Sequence, residues 1–151
     1  MYLVRAFTKE QPTLIRAEER NSKFKVLGLK FKVMKRILVA EDNDSNYMLM
    51  NYILKRHYEF FRARNGQEAV ELAASEKPDL VLMDIKMPVM DGLEATRQIK
   101  AAQPELPVIA LTANAFDSDR HAAFDAGCDD FLAKPVNADK CIQTIAKYIG
   151  E

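Results

Sequence analysis

The sequence predicts an α/β fold in which helices cover both sides of a doubly wound five-stranded parallel sheet. Two observations support this prediction. From Lys35 onward, five short apolar segments alternate with five segments of helical periodicity, which is the pattern of right-handed crossovers between parallel strands. The third apolar segment, Leu80 to Met83, is uninterrupted and lies between Pro78 and Pro88, as expected for a strand buried on both faces.

The first two strands and helices follow directly from Arg36. We expect a strand from Arg36 to Ala40 and a helix from Ser45 to Arg56, with apolar pairs four residues apart. A second strand from Tyr58 to Ala63 precedes a second helix, for which Asn65 and Glu68 have the spacing of a capping box. The apolar pairs of the first helix are Leu49 with Ile53 and Met50 with Leu54, and the buried side of the second helix is Ala69, Leu72 and Ala73.

The same capping pattern follows the central strand, Leu80 to Asp84. Asp91 and Glu94 begin a third helix, and a proline-containing turn then leads to a fourth strand, Val108 to Leu111. The core side of the third helix holds Leu93 and Ile99.

The last part of the chain completes the alternation. A fourth, rather polar helix begins at Asp117 or Ser118 and ends near Gly127. Phe131 to Ala133 is predicted to form a short fifth strand, and Asn137 begins the last helix. One face of that helix is apolar and contains Cys141, Ile145 and Ile149.

Residues 1–33 are predicted to form a basic N-terminal extension or linker, separate from a domain that spans residues 34–151. Residues 1–36 contain ten Lys and Arg against three Asp and Glu, whereas residues 37–151 contain twelve against nineteen. A short helix is expected within Pro12 to Arg20. Period-two alternation predicts a strand over Leu27, Leu29, Phe31 and Val33.

Three interpretations of this extension stay open. Its positive charge is typical of an arm that binds an acidic partner or a membrane surface. Two simpler interpretations are favoured over such an arm: a linker left from a longer protein, or residues that precede a natural start at Met34.

Composition disfavours several functional classes. With 151 residues, 48% of them apolar, the chain can build one good core. No apolar run approaches the roughly 20 residues of a membrane span, and the N-terminus lacks the apolar core of a signal peptide, so we expect a cytoplasmic protein. Because the second part is acidic and the chain ends at Glu151, we expect no direct DNA binding. Cys128 and Cys141 lack metal-ligand spacing and are expected to be small buried residues, and His57 and His121 have no evident partner.

The predicted strand order brings polar strand ends together. For five strands the common doubly wound order is 2-1-3-4-5, in which the first strand lies beside the third. Ligands bind outside the carboxyl ends of the strands, where the order reverses. Polar groups at that edge are Glu41 and Asp42 after the first strand, then Asp84, Thr112 and Lys134 at or after the third, fourth and fifth strands.

These side chains suit a metal ion and a phosphoryl group. Neighbouring carboxylates repel by about 4 kcal/mol per pair at an effective dielectric constant of about 20, so they need a cation. Mg²⁺ takes one or two carboxylates and keeps several waters, while the ammonium of Lys134 and the hydroxyl of Thr112 are donors for phosphoryl oxygens. From its own strand alone, Asp84 is as readily interpreted as a cap of the following loop as it is as a site residue. Together with these other polar side chains, it is expected to be a nucleophile in phosphoryl transfer.

Four separated motifs, in the same order, resemble those of response-regulator receiver domains in two-component signalling. They occupy residues 35–43, 82–92, 107–113 and 129–135, and the resemblance extends from about Lys35 to the C-terminus. The motifs are most similar to those of receivers in hybrid histidine kinases. The resemblance implies a (βα)5 fold with the flavodoxin-like strand order.

The resemblance also implies that Asp84 accepts a phosphoryl group from a phosphohistidine on a histidine kinase or a histidine phosphotransfer protein. Mg²⁺ would bind through Asp42, Asp84 and the backbone carbonyl of Lys86, with Glu41, where Asp is commoner, acting largely through water. The chain would be a phosphoacceptor that catalyses its own phosphorylation and dephosphorylation rather than a conventional enzyme. Lys86 and Asn114 are hypothesised to modulate hydrolysis of the aspartyl phosphate.

Four further roles follow from the same resemblance. Lys134 would pair with the phosphoryl group and Thr112 would hydrogen-bond it. Phe131 matches the switch aromatic, without the hydroxyl of the usual Tyr, and Pro135 would follow a cis peptide bond. Movement of Thr112 would let Phe131 turn into the core, giving a two-state shift that a partner or a homodimer reads on the face of the fourth and fifth strands and helices.

Two other functions compete with this interpretation. A phosphatase or nuclease also places carboxylates and Mg²⁺ at strand ends, but it typically needs an Asp-x-Asp pair, and here Lys86 stands two residues after Asp84. A pseudo-receiver would bind partners without being phosphorylated. The complete set of Asp42, Asp84, Thr112 and Lys134 argues against the pseudo-receiver, which stays the alternative.

Overall fold

A computed structural model of the protein describes residues 3–7, 12–16, 30–114 and 117–150. The chain divides into two compact units, Met1–Lys35 and Arg36–Glu151. Within the described residues, the first unit contains a three-stranded sheet and the second unit contains a five-stranded sheet.

The first unit contains an antiparallel sheet in the order β2-β1-β3. Its strands are β1 (Leu3–Phe7), β2 (Pro12–Arg16) and β3 (Lys30–Val33). The prediction of a short helix from Pro12 to Arg20 is therefore wrong for its first five residues, because Pro12–Arg16 pairs along its whole length with β1. Pro12 is tolerated there because it is the first residue of an edge strand. Strand β3 agrees with the alternation at Phe31 and Val33; residues 17–20, Leu27 and Leu29 lie outside the described residues.

The second unit is the predicted doubly wound α/β fold. All four strand pairings are parallel, and the order β5-β4-β6-β7-β8 confirms the 2-1-3-4-5 arrangement. The elements are β4 (Arg36–Ala40), α1 (Asp44–Leu54), β5 (Glu59–Ala63), α2 (Gly66–Glu76), β6 (Leu80–Asp84), α3 (Gly92–Ala102), β7 (Val108–Thr112), α4 (Asp117–Ala126), β8 (Asp130–Ala133) and α5 (Ala138–Ile149).

Among the residues that the structure describes, four helices begin with a side-chain cap at the carboxyl edge of the sheet. In each case the side chain of the N-cap residue accepts a hydrogen bond from the backbone N–H three residues later, which contributes about 1 kcal/mol per helix. Three of these caps were predicted from their spacing or position. The cap residues are Asn43, Asn65, Asp91 and Asn137.

The core lies in two layers, one on each face of the sheet. Every residue of β6 is buried, as its uninterrupted apolar run predicts. Alternate strand residues pack against α1 and α5 on one face and against α2 and α3 on the other. Leu49 departs from the predicted apolar pair, because it is 38% exposed while Ile53 is buried. Cys128 and Cys141 are buried free thiols, as predicted.

Among the helices within the described residues, none is both long enough and apolar enough to cross a bilayer.

Candidate functional site

A cavity of about 290 Å³ opens at the carboxyl edge of the five-stranded sheet. It forms there because β4 and β6 are neighbours, with Ala40 opposite Met83, so the residues that follow each strand meet at the same level. The adjacent β7 and the loop after β8 close its other side. Its lining includes the predicted site residues Glu41, Asp42, Asp84, Lys86, Thr112 and Lys134.

Three carboxylates converge in this cavity. One oxygen from each of Glu41, Asp42 and Asp84 lies within 4.8 Å of the others. Glu41 is 1% exposed and Asp84 is 6% exposed, whereas Asp42 faces solvent. Hard oxygen donors with one side open to water fit Mg²⁺, which binds few protein ligands and keeps part of its hydration shell.

Lys134 lies between the two buried carboxylates. Its Nζ donates to Glu41 Oε2 at 2.9 Å and lies 3.0 Å from Asp84 Oδ2. Burial alone would lower the pKa of Lys134, but hydrogen bonds to Glu41 and Asp84 and their negative charges together raise it. One ammonium therefore balances two carboxylates, and a net negative charge is left inside the cavity.

The pKa of Asp84 responds to the same arrangement. Its surroundings together raise the pKa from 3.8 to about 6. Burial is the largest cause of the rise, the hydrogen bond with Lys134 opposes it, and the charge of Glu41 adds to it. The ionised Asp84 carboxylate is thus costly in the metal-free protein.

Backbone and amide donors orient the two buried carboxylates. Glu41 Oε1 accepts hydrogen bonds from Asn43 N at 3.1 Å and from Asn46 Nδ2 at 3.4 Å. Asp84 Oδ1 accepts one from Lys86 N at 3.3 Å. Asn43 and Asn46 had no role assigned from the sequence, although both follow the acidic pair closely enough to reach back to it.

Thr112 and the outer residues form the mouth of the cavity. Thr112 is buried, and its Oγ1 donates to Asn114 O at 2.8 Å and accepts from Asn114 N at 3.1 Å. Lys86 and Asn114 are exposed at the mouth. Asp119 of α4 also lines the cavity, and sequence spacing carries no signal for it because its position depends on how α4 packs.

Phe131 and Pro135 lie beside the cavity rather than in its lining. Phe131 is half-buried; its ring packs edge-on against Phe124 with centroids 6.3 Å apart, and the guanidinium of Arg120 lies 4.8 Å from its centre. The Lys134–Pro135 peptide bond is cis. The structure thus places Phe131 on the surface shared by α4 and β8.

Replacing Asp84 by Asn should stabilise the metal-free protein by about 2 kcal/mol at pH 7.5. One pKa unit corresponds to about 1.4 kcal/mol, and solvent at the open side of the cavity reduces the effect. Because the pKa of Asp84 is raised in the folded state, its favourable contribution is present below about pH 4 and is lost as the pH rises through about 6. Urea unfolding in EDTA at pH 7.5 and at pH 4 measures the stability that Asp84→Asn gains over the wild type, and this gain should be smaller at pH 4. A lower unfolding midpoint for Asp84→Asn than for the wild type at pH 7.5 would contradict the prediction.

Comparisons with known proteins agree with this fold. A family model for the response regulator receiver domain matches residues 37–146. The polar-differentiation response regulator DivK of Brucella anthropi is 38% identical over 120 residues, covering 78% of this chain and 98% of DivK.

Two solved structures are similar over the same part of the chain. The receiver domain of the sensor histidine kinase PA1611 from Pseudomonas aeruginosa PAO1, which has a magnesium ion coordinated in its active site cleft, is 36% identical with a TM-score of 0.73, covering 78% of this chain and 99% of that one. A chain of the Saccharomyces cerevisiae co-crystal structure of the histidine phosphotransfer protein Ypd1 with the receiver domain of Ssk1 is 31% identical with a TM-score of 0.72, covering 78% and 91%. The chain therefore belongs to the response-regulator receiver domains of two-component signalling.

Proposed function

We propose that the chain is a phosphoacceptor of a two-component system or phosphorelay, and that it receives a phosphoryl group on Asp84 from a phosphohistidine. The observation that carries this proposal is the placement of the buried Asp84 carboxylate beside two other carboxylates and the Lys134 ammonium, in a cavity open to solvent. The histidine phosphotransfer protein in the Ypd1 co-crystal structure supports a phosphohistidine donor, on such a protein or on a histidine kinase.

In the transfer step, an Asp84 carboxylate oxygen attacks the phosphorus of the phosphohistidine. The new O–P bond forms as the N–P bond breaks, and the imidazole nitrogen leaves with the electron pair. Lys134 and Thr112 would donate to the phosphoryl oxygens. Asp42, Asp84 and the Lys86 carbonyl would hold Mg²⁺, with Glu41 acting through water.

When bound, Mg²⁺ would neutralise the charge of the carboxylates and of the phosphoryl oxygens. The donor set fits it, because the cavity supplies hard oxygen atoms and retains a net negative charge beside one lysine. Hydrolysis of the aspartyl phosphate would return the protein to its resting state, at a rate that Lys86 and Asn114, both at the mouth of the cavity, would modulate.

The output would be a population shift that changes partner binding. Phe131 now packs against Phe124 and Arg120 on the α4 surface. Movement of Thr112 toward the phosphoryl group would let the Phe131 ring turn inward, which would remove both contacts and alter that surface. A partner, or a second copy of the chain, would read the face formed by α4, β8 and α5. Residues 1–33 would serve as a basic extension, and the protein would act in the cytoplasm.

The wild-type protein should gain one phosphoryl group when it is incubated with acetyl phosphate and Mg²⁺. Intact mass spectrometry measures the gain, which EDTA should prevent because the carboxylates then repel the incoming anion. A protein that is folded and binds Mg²⁺ but shows no gain would be a pseudo-receiver. Continued release of inorganic phosphate without any covalent intermediate would indicate a phosphatase instead.

A further inference from the structure

The side chain of Arg62, near the end of β5, reaches the loop that follows β4. Its Nε donates to the backbone carbonyl of Glu41 at 2.9 Å, and its Nη2 donates to the carbonyl of Asp42 at 3.1 Å. Its Nη1 donates to Asp44 Oδ1 at 2.8 Å. One guanidinium thus bonds two consecutive carbonyls of the loop that carries Glu41 and Asp42. These two residues and Asp84 form the acidic cluster of the cavity.

The guanidinium is itself held in place. Its central carbon lies 4.5 Å from the centre of the Tyr47 ring on α1, a stacking contact that suits a planar cation. The Arg62 side chain is only 12% exposed. The neighbouring Ala63 carbonyl accepts a hydrogen bond from Glu41 N at 3.0 Å, so the end of β5 contacts this loop through both its backbone and its side chain.

We propose that Arg62 is a positioning residue for the divalent-cation site, which it serves by fixing the backbone of Glu41 and Asp42. Its donors point to carbonyl oxygens and to Asp44, so it acts on the site through the loop. Asp42 needs this support because its side chain is exposed, whereas Glu41 is held from the other side by Asn43, Asn46 and Lys134. This inference rests on the proposed role of the acidic cluster in binding Mg²⁺.

Charge and geometry predict opposite effects, which makes the proposal testable. A positive charge near a cation site weakens cation binding, so a purely electrostatic role predicts that a neutral replacement of Arg62 tightens Mg²⁺ binding. Positioning predicts weaker binding for both Arg62→Lys and Arg62→Gln. The three bonds start from three different nitrogens of the guanidinium, whereas Lys has a single ammonium nitrogen and the Gln amide has only two N–H donors.

The experiment is a calorimetric titration of the full chain with MgCl2. Arg62→Lys and Arg62→Gln should weaken Mg²⁺ binding about tenfold, the scale at which residues that orient metal ligands act. Arg64→Lys is the matched control: Arg64 also donates to Asp44 Oδ1, at 3.3 Å, but it is 63% exposed and no contact within the described residues joins it to the loop carbonyls. It should bind Mg²⁺ like the wild type.

Phosphorylation by acetyl phosphate gives a second readout. The Arg62→Lys rate should approach the wild-type rate at saturating Mg²⁺, since the reacting groups are unchanged, whereas a general structural defect would persist. Tyr47→Leu removes the stacking ring and keeps the hydrogen bonds of Arg62, so we expect it to weaken Mg²⁺ binding by a smaller factor. This variant tests the proposal if the Arg62 variants do not fold.

Three outcomes would be decisive. Mg²⁺ binding that is unchanged or tighter in folded Arg62→Gln overturns this inference and leaves the proposed function intact. If the Arg62 variants do not fold, unchanged Mg²⁺ binding in Tyr47→Leu has the same meaning. Absence of Mg²⁺ binding and of phosphorylation in the wild type overturns both.

Discussion

Asp84→Asn should abolish phosphorylation by acetyl phosphate in the presence of Mg²⁺. The amide is nearly isosteric with the carboxylate but is a far poorer nucleophile, so no acyl phosphate should form. The side chain would still fill its buried position beside Lys134, and the fold should therefore be retained. The measurement is the fraction of protein that gains a phosphoryl group by intact mass, at a fixed time after addition of acetyl phosphate.

Asp125→Asn is the matched control for this prediction, because Asp125 is an exposed carboxylate on α4. It should be phosphorylated like the wild type. A phosphoryl group that remains on the Asp84→Asn protein would assign the acceptor to another residue, and peptide mapping would locate it. The Asp84→Asn variant should therefore be more stable than the wild type in the metal-free state but inactive as a phosphoacceptor, a trade-off between stability and activity that is common at functional sites.

Lys134→Met should destabilise the metal-free protein by about 3 kcal/mol. Methionine fills a similar volume, but Glu41 and Asp84 would lose the ammonium that lies within 3.0 Å of both. Removing one partner of a buried ion pair leaves uncompensated charge, which typically costs about 3 to 5 kcal/mol. Because the cavity is open to solvent, the loss of stability should be at the lower end of this range. Urea unfolding in EDTA at pH 7.5 measures the loss.

Two comparisons sharpen this prediction. Lys140→Met removes an exposed lysine from α5 and should leave the unfolding midpoint nearly unchanged. The double variant with Asp84→Asn and Lys134→Met should recover part of the lost stability, since one of the two unpaired charges is then absent. A single Lys134→Met variant as stable as the wild type would show that solvent, rather than Lys134, compensates the two carboxylates.

Most of the second unit was predictable because its determinants are local or follow from one packing rule. Strand bounds such as Arg36–Ala40 and Leu80–Asp84 agree with the prediction because a buried parallel strand needs an uninterrupted apolar run. The caps at Asn65 and Asp91 agree because a side-chain acceptor three residues before a backbone N–H is a sequence-local feature. The parallel strand order then places Asp42 beside Asp84, a contact that spacing alone does not show.

Features that depend on long-range pairing were missed. Pro12–Arg16 is a strand because β1 is available to pair with it, and local composition carries no information about such a partner. Arg62 and Asp119 reach the site from β5 and α4, elements from which the sequence predicted no residue of the site. Their involvement follows from the packing of side chains after the sheet has formed.

The hydroxyl of Thr112 is already engaged in the resting protein. It would have to release the Asn114 carbonyl, now 2.8 Å away, before it could donate to a phosphoryl oxygen. The phosphoryl group would therefore replace an existing hydrogen bond within the protein. The free energy gained would be limited to the difference between a charge-assisted and a neutral hydrogen bond. Because this difference is small, the conformational change would be readily reversible. Once the phosphate leaves, the Thr112 hydroxyl would donate to the Asn114 carbonyl again, and the protein would return to its original state.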